Sequence, residues 1–223
     1  MKRYTRSCTL LLIPAVCLVL GGCQPIIGWM VNAFAPPKQV EALYEPPAKK
    51  KILVFVDDLR NPVSYEPVKG ELTDRLNDQL TAHRIAGQTV TYEDLLRLIA
   101  ATPNFNELAV GEVGQRLGAD IVLYVEIDEF SLRDAEDNPL WQGRLSTKVR
   151  MVDVLGGRLW PEDRPDGYPL EPVETPATSH LSASYGEQLS RDLAALMADR
   201  IAKLFHKHKV SAEEAAQRER GDF

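Results

Sequence analysis

Two pairs of carboxylates close two strongly apolar stretches of the chain: Asp57-Asp58 follows Ile52–Val56, and Asp128-Glu129 follows Ile121–Ile127. Neighbouring carboxylates at such points can exchange protons with a substrate or hold Mg²⁺. In open α/β sheets the functional groups gather where strands end, at their carboxyl edge. Asp57, Asp58 and Asp128 are therefore the candidate catalytic set of a hydrolase or ligand-binding enzyme. The plainer reading is that strands buried on both faces end in charges to meet water, and on it no residue is catalytic. The motif inventory favours the plainer reading. The chain has no G-x-G-x-x-G, G-x-x-x-x-G-K-[ST], G-x-S-x-G, H-E-x-x-H or C-x-x-C, so phosphate loops, nucleophile elbows and common zinc motifs are absent.

The other reactive group is a thiol. Met1–Arg6 carries Lys2, Arg3 and Arg6 without an acid, and Thr9–Leu20 is a short apolar run. A basic start followed by about a dozen apolar residues has the build of an export signal, and is shorter than the ~20 residues that span a bilayer. Leu20-Gly21-Gly22-Cys23 follows. It resembles the bacterial lipobox, which implies cleavage before Cys23 and a lipid on its thiol. Removing residues 1–22 takes Cys8 and Cys17 with it, so Cys23 is the one cysteine of the remaining 201 residues. No internal disulfide is then possible. That remainder has 23 Lys/Arg against 32 Asp/Glu, a net charge of −9. Nucleic-acid binding needs a basic footprint and is disfavoured.

Two weaker candidates complete the list. Arg144, Lys148 and Arg150 recur on one side of a predicted strand and offer a basic row to an acidic partner. The same charges also keep an exposed strand soluble. Of the four histidines, His83 and His180 are isolated, and His206 and His208 diverge if the last helix carries both. Zinc takes three or four converging ligands, so no metal and no cofactor is expected.

The elements that place these groups follow from periodicity. Gln24–Lys50 reads as a Pro-rich tether, with an apolar patch at Ile26–Val31 and Pro36-Pro37 and Pro46-Pro47 beyond it; such segments are extended and semi-rigid. Trp29 suits either the membrane interface or the domain. Ile52–Val56 predicts a buried central strand, Gly70–Ile85 a helix on Leu72, Leu76 and Leu80, and Gln88–Thr91 a second strand. Thr91–Asp94 predicts a capping box before a helix over Leu95–Ala101. A third helix spans Leu108–Leu117, with Gly118 after it. Asp120–Ile127 is the clearest strand, and Trp141–Leu155 a long half-buried one. Gly156-Gly157 then turns a hairpin into Arg158–Trp160, and Pro161–Ser179 is a surface loop or an edge strand around Leu170–Val173. Ser184–Glu187 predicts a second capping box, opening a long helix to His206 on the stripe Tyr185, Leu189, Leu193, Leu196, Met197, Ile201 and Leu204. Ser211–Phe223 is a charged tail. The expected fold is α/β, a mixed sheet in two or three layers, in the order β-α-β-α-α-β-β-β-α with a long C-terminal helix. The expected organisation is a signal over 1–22, a tether over 23–50, one domain over 51–209 and a tail over 210–223.

Three stretches together carry a resemblance: the first strand with its helix, Val113–Asp120 running into Ile121-Val122-Leu123, and Val152–Trp160. They look like the α/β domain of envelope lipoproteins of the curli-secretion type, the penicillin-binding-protein activator lipoproteins and the TolB amino-terminal domain. Membrane-spanning hairpins of the curli-secretion pore type are not evident, so a pore role does not carry over. The resemblance implies a non-catalytic scaffold in envelope assembly or secretion and supplies no catalytic residues. The expected partners are a membrane, reached through the lipid, and an envelope protein, with self-association left open. Gln24 after the lipid cysteine, instead of Asp, suggests the outer membrane facing the periplasm. The alternatives are an anchored hydrolase or ligand-binding enzyme using Asp57, Asp58 and Asp128, and a solute-binding protein, which would need two lobes.

Overall fold

The apolar run after the prolines forms strand β2 (Lys51–Asp57), preceded by the short strand β1 (Lys38–Val40). Ile52, Leu53 and Val54 have no exposed surface, because β2 lies inside the sheet, parallel to a strand on each side. The computed structural model describes residues 38–58, 63, 65, 67–133, 140–179 and 184–210. The expected signal over 1–22, the expected lipid site Cys23, Trp29, His180 and the tail after residue 210 lie outside the described residues.

Helix α1 spans Pro67–Ala82 and buries Val68, Leu72, Leu76 and Leu80. It starts three residues before Gly70, since proline is pre-organised for the first helical position. It also stops short of Ile85, the expected end. Arg84 is left-handed (φ 58°), Ile85 N–H bonds Leu80 O at 2.8 Å, and Arg84 N–H bonds Thr81 O at 3.1 Å. This is a Schellman ending, in which Ile85 is the apolar residue that closes the cap. Strand β3 (Gln88–Thr89) leads to α2 (Tyr92–Ala101). The predicted box at its start is present: Thr91 Oγ1 accepts from Asp94 N–H at 3.2 Å, and its hydroxyl donates to Asp94 Oδ2 at 2.7 Å. A 3₁₀ turn (Phe105–Glu107) and α3 (Val110–Arg116) follow. Gly118 has φ 63°, as its position after the helix requires.

Strand β4 (Ile121–Ser131) outlasts its predicted end, with a bulge between Ile127 and Glu129. It runs parallel to β2, pairing Ile52 with Ile121 and Asp57 with Glu126, and antiparallel to β5 (Arg144–Asp153). At the start of β4, Asp120 Oδ2 accepts from Lys51 N–H and Lys51 O from Asp120 N–H, both at 2.8 Å. The Gly118-Ala119-Asp120 junction thus clamps the two central strands in register. Beyond β5, Asp153 Oδ1 accepts from Leu155 and Gly156 N–H. Of the two expected glycines, only Gly157 has a positive φ (90°). Strands β6 (Gly157–Trp160), β7 (Tyr168–Pro169) and β8 (Val173–Glu174) each pair with β5. The Pro-rich stretch is therefore an interrupted edge strand, which leaves no long flat edge open to another chain.

The last helix, α4 (Tyr185–Ala202), is shorter than its stripe suggests. Ser184 makes no side-chain cap bond, and Leu196 is exposed. After Ala202 the chain leaves the helix, and Leu204 O accepts from Leu43 and Tyr44 N–H. Phe205 meets the Trp160 ring at 5.5 Å, edge to face. Trp160 is core, its ring between Tyr44, at 6.2 Å and stacked, and Tyr168, at 5.1 Å and tilted. The compact body accordingly begins at Glu41, not at Lys51, since Leu43 and Tyr44 are built into it. Among the described residues on either side of it, β1 pairs with β9 (His208–Val210).

The sheet order is β3-β2-β4-β5-β6. Ile52, Val54, Val56, Ile121, Leu123 and Val125 face α1 and α4, while Leu53, Val122 and Tyr124 face α2 and α3. The fold is thus α/β with a mixed sheet, in three layers over its parallel half. Gly114 lets α3 lie this close, because a Cβ there would stand 2.6 Å from Val122 Cγ2. No helix among the described residues is long and apolar enough to cross a membrane. Leu76→Ala, at a site with no exposed surface, should cost about 3 kcal/mol in urea unfolding, whereas Leu155→Ala on the exposed hairpin tip should leave the midpoint unchanged.

Candidate functional site

At the carboxyl end of β2 the chain leaves toward α1 on one face of the sheet, and β3 beside it leads into α2 on the other. Such a divergence opens a crevice. The first turns of α1 and α2 bracket it, and a Cβ on Gly70 would lie 2.8 Å from Tyr92 Cε1. Behind them is a cavity of about 420 Å³. Its floor is Phe55, Asp57 and Tyr124. Asp58 and Lys69 stand at one side, and α2, the 3₁₀ turn and α3 supply apolar walls.

Asp57 and Tyr124 are both almost fully buried, and the Tyr124 hydroxyl donates a short hydrogen bond to Asp57 Oδ2. Burial first, and then the adjacent Asp57 carboxylate, push the Tyr124 phenol far above its ordinary range, so it remains a proton-bearing donor. Its ring is held from three directions. Phe55 meets it edge to face at 5.5 Å and in turn meets Phe105 at 6.0 Å. The Arg150 guanidinium lies 4.3 Å from its centroid, in cation–π contact. Asp58 accepts from Val63 N–H at 3.0 Å and pairs with Lys69 Nζ at 3.0 Å. Both partners are largely shielded from water.

The third candidate is elsewhere. Asp128 pairs with Lys148 Nζ at 2.8 Å and does not line the cavity. Among the described residues, no three acidic, histidine or cysteine side chains are grouped as metal ligands. Asp57, Asp58 and Asp128 are thus three separately engaged carboxylates, and the set does not converge. The basic row does occupy one face of β5, between the buried Leu145, Val149 and Met151. Each member has an internal partner: Arg144 bridges Glu129 and Glu174, Lys148 holds Asp128, and Arg150 covers Tyr124.

The histidines differ from expectation. His206 lies beyond the end of α4, so helical geometry does not separate it from His208, and their rings stack at 5.8 Å. His83, expected alone, meets His206 edge-on at 3.7 Å between centroids. His206 Nδ1 and His208 Nε2 are buried without a hydrogen-bond partner. Burial lowers the His206 pKa, and His83, His208 and Lys203 lower it further against Asp199.

Sequence reasoning missed Tyr124, Lys69, Leu96 and Ile99. Tyr124 left one signal, a phenol in the middle of a fully apolar strand. Leu96 and Ile99 left another: Leu95-Leu96-Arg97-Leu98-Ile99 is apolar around more of α2 than one sheet face can cover, and both stay exposed at the cavity.

No protein-family model matches the chain, and no curated protein does. Among solved structures, the PelC dodecamer from Paraburkholderia phytofirmans is similar over 77% of this chain and 99% of its own. The identity is 13% and the TM-score 0.39. Lipoprotein GNA1162 from Neisseria meningitidis is similar over 69% and 99%, at 15% identity and TM-score 0.38. An uncharacterized lipoprotein B from Nitrosomonas europaea is similar over 80% and 92%, at 13% identity and TM-score 0.33. Likenesses of this degree assign neither a family nor a function.

Tyr124→Phe should cost about 2 kcal/mol in unfolding experiments, because it leaves the buried Asp57 carboxylate short of a donor. The His206 pKa is lowered in the folded state, so the unfolded chain takes up the proton first as pH falls through about 6.5. Stability should therefore decline on acidification from pH 7 toward 5, and the decline should be shallower in His206→Gln, as urea midpoints across that range would show.

Proposed function

We propose that this chain is an exported lipoprotein, held on a membrane through Cys23, whose α/β body is a non-catalytic binding module in the cell envelope. The observation that carries the binding half is the engagement of the candidate carboxylates. Tyr124 donates to Asp57, Lys69 neutralises Asp58 and Lys148 neutralises Asp128. A general base needs a carboxylate poised toward a substrate proton, and these are directed at their own neighbours. What the crevice offers instead is volume and apolar wall, the properties of a recognition site. The membrane half rests on the first 23 residues: the basic start, the short apolar run and Leu20-Gly21-Gly22-Cys23. Acyl chains on Cys23 supply the anchor, since two or more give stable attachment. Gln24 after that cysteine favours the outer membrane, on its periplasmic side. The Pro-rich stretch after it acts as a spacer.

The anchor is tested by producing wild type and Cys23→Ala in a bacterium and extracting membranes with a phase-separating detergent. Wild type should enter the detergent phase and carry labelled palmitate, and Cys23→Ala should remain aqueous and unlabelled. Equal partitioning of the two proteins would overturn lipidation at this residue.

A further inference from the structure

We infer that the segment Leu204–His208, which follows α4, is an acid-sensitive latch. A proton taken up by His206, against its two histidine neighbours, releases the segment from residues 43 and 44 and from Trp160.

The segment is fastened at few points. Leu204 O accepts from Leu43 N–H at 2.8 Å and from Tyr44 N–H at 3.2 Å. Phe205 closes edge-on over Trp160 at 5.5 Å, and Tyr44 stacks on the same ring at 6.2 Å. Toward α4 the ladder has already loosened: Leu204 and Phe205 N–H reach back only three residues, to Ile201 O and Ala202 O, as at a fraying helix end. A backbone pair and an aromatic contact of this kind can open locally while the sheet stays folded. Opening exposes Phe205 and one face of Trp160, both buried when the latch is closed.

His206 is where a charge would strain it. Its Nδ1 is buried without a hydrogen-bond partner. An imidazolium donates from both nitrogens, so a charged His206 would hold a buried N–H with nothing to receive it. The adjoining rings give no relief. His208 Nδ1 lies 3.1 Å from His206 O, and a carbonyl only accepts, so that nitrogen carries the hydrogen. His208 Nε2, also buried and unmet, is then a bare acceptor. His83 stands edge-on to His206 at 3.7 Å between centroids, with its Nε2 3.2 Å from Gln79 Oε1. The charged and titratable groups facing His206 are His83 after α1, Asp199 and Lys203 on α4, and His208 two residues on. Asp199 favours an imidazolium, but Lys203 already pairs with it at 2.8 Å. Lys207 is engaged by Glu41, both of them exposed. Burial first, then His83 and His208, hold His206 below its ordinary value while the latch is closed. Released into water, the ring returns to about 6.5. The proton therefore prefers the open segment, and closure weakens as pH falls through about 6.5.

The test is native-state amide exchange of the full-length protein, read by NMR as protection factors, which divide out the intrinsic pH dependence of exchange. At pH 7.5 the Leu43 and Tyr44 amides should be less protected than Leu123 and Val125 in the centre of the sheet. Low urea should leave them unchanged, as local opening requires. Between pH 7.5 and 5.5 their protection should fall, by up to about tenfold for one histidine. His206→Gln should remove the fall. His83→Gln, at an exposed position, should reduce it, because one of the groups opposing the charge is gone. Protection and urea dependence at Leu43 and Tyr44 equal to those at Leu123 and Val125 would overturn the latch, since the segment would then open only with the whole fold. No fall in wild type, or an undiminished fall in either folded variant, would overturn it as well.

Discussion

Strand β2 is buried on both faces and hydrogen-bonded on both edges, and a strand so placed can put polar side chains only at its ends. Its amino end is taken by the Asp120 clamp, which ties Lys51 to the start of β4 from both directions. Its carboxyl end is Asp57-Asp58. The two residues alternate across the sheet, as successive residues in an extended chain must. Asp57 falls on the face of α2 and α3, where Tyr124 of the neighbouring strand donates to it. Asp58 turns toward α1 and finds Lys69 in its first turn. The parallel register, Asp57 opposite Glu126 and Phe55 opposite Tyr124, decides the first of these pairings, and the chain's turn into α1 the second.

Much of this frame was readable from residue order. The apolar run of β2, the leucine spacing of α1 and the Thr91 cap depend on neighbours within a few positions, and each appears where the spacing placed it. The errors have long-range causes. Ile85 continues the helical stripe of α1, yet it serves as the apolar closure of a Schellman turn because the chain must reach β3. Leu204 continues the stripe of α4, but its carbonyl is claimed by Leu43 and Tyr44, and Phe205 is drawn onto Trp160. A reading confined to local period could not foresee that residues 41–50 would return to the body and end the last helix.

The same limit governed the candidate site. That Asp57 and Asp58 lie together at a strand end is a local fact and was legible. That Asp128 belongs with Lys148 depends on the register of β4 against β5 and on the bulge after Ile127, which no spacing encodes. The histidines show it most clearly. His206 and His208 diverge only while they are helical, and the early exit from α4 brings them onto one side, against the end of α1, where His83 waits after the last turn.

The two faces of the sheet are covered unequally, and the cavity follows from that. One face carries the two long helices, α1 and α4, whose leucine rows fill it. The other carries α2, a 3₁₀ turn and the two-turn α3, which approaches closely only because residue 114 is glycine. Short helices joined by Pro103 and a 3₁₀ turn cannot follow a twisted sheet as a continuous helix does, and a gap remains over Phe55 and Tyr124. Single exposed leucines are ordinary on a protein surface. Leu96 and Ile99, three apart on α2, occupy one helix face and border the same gap. Their exposure and the empty volume therefore have a common origin. The edge-to-face contacts of Phe55 with Tyr124 and Phe105 then form the floor and one side of that gap.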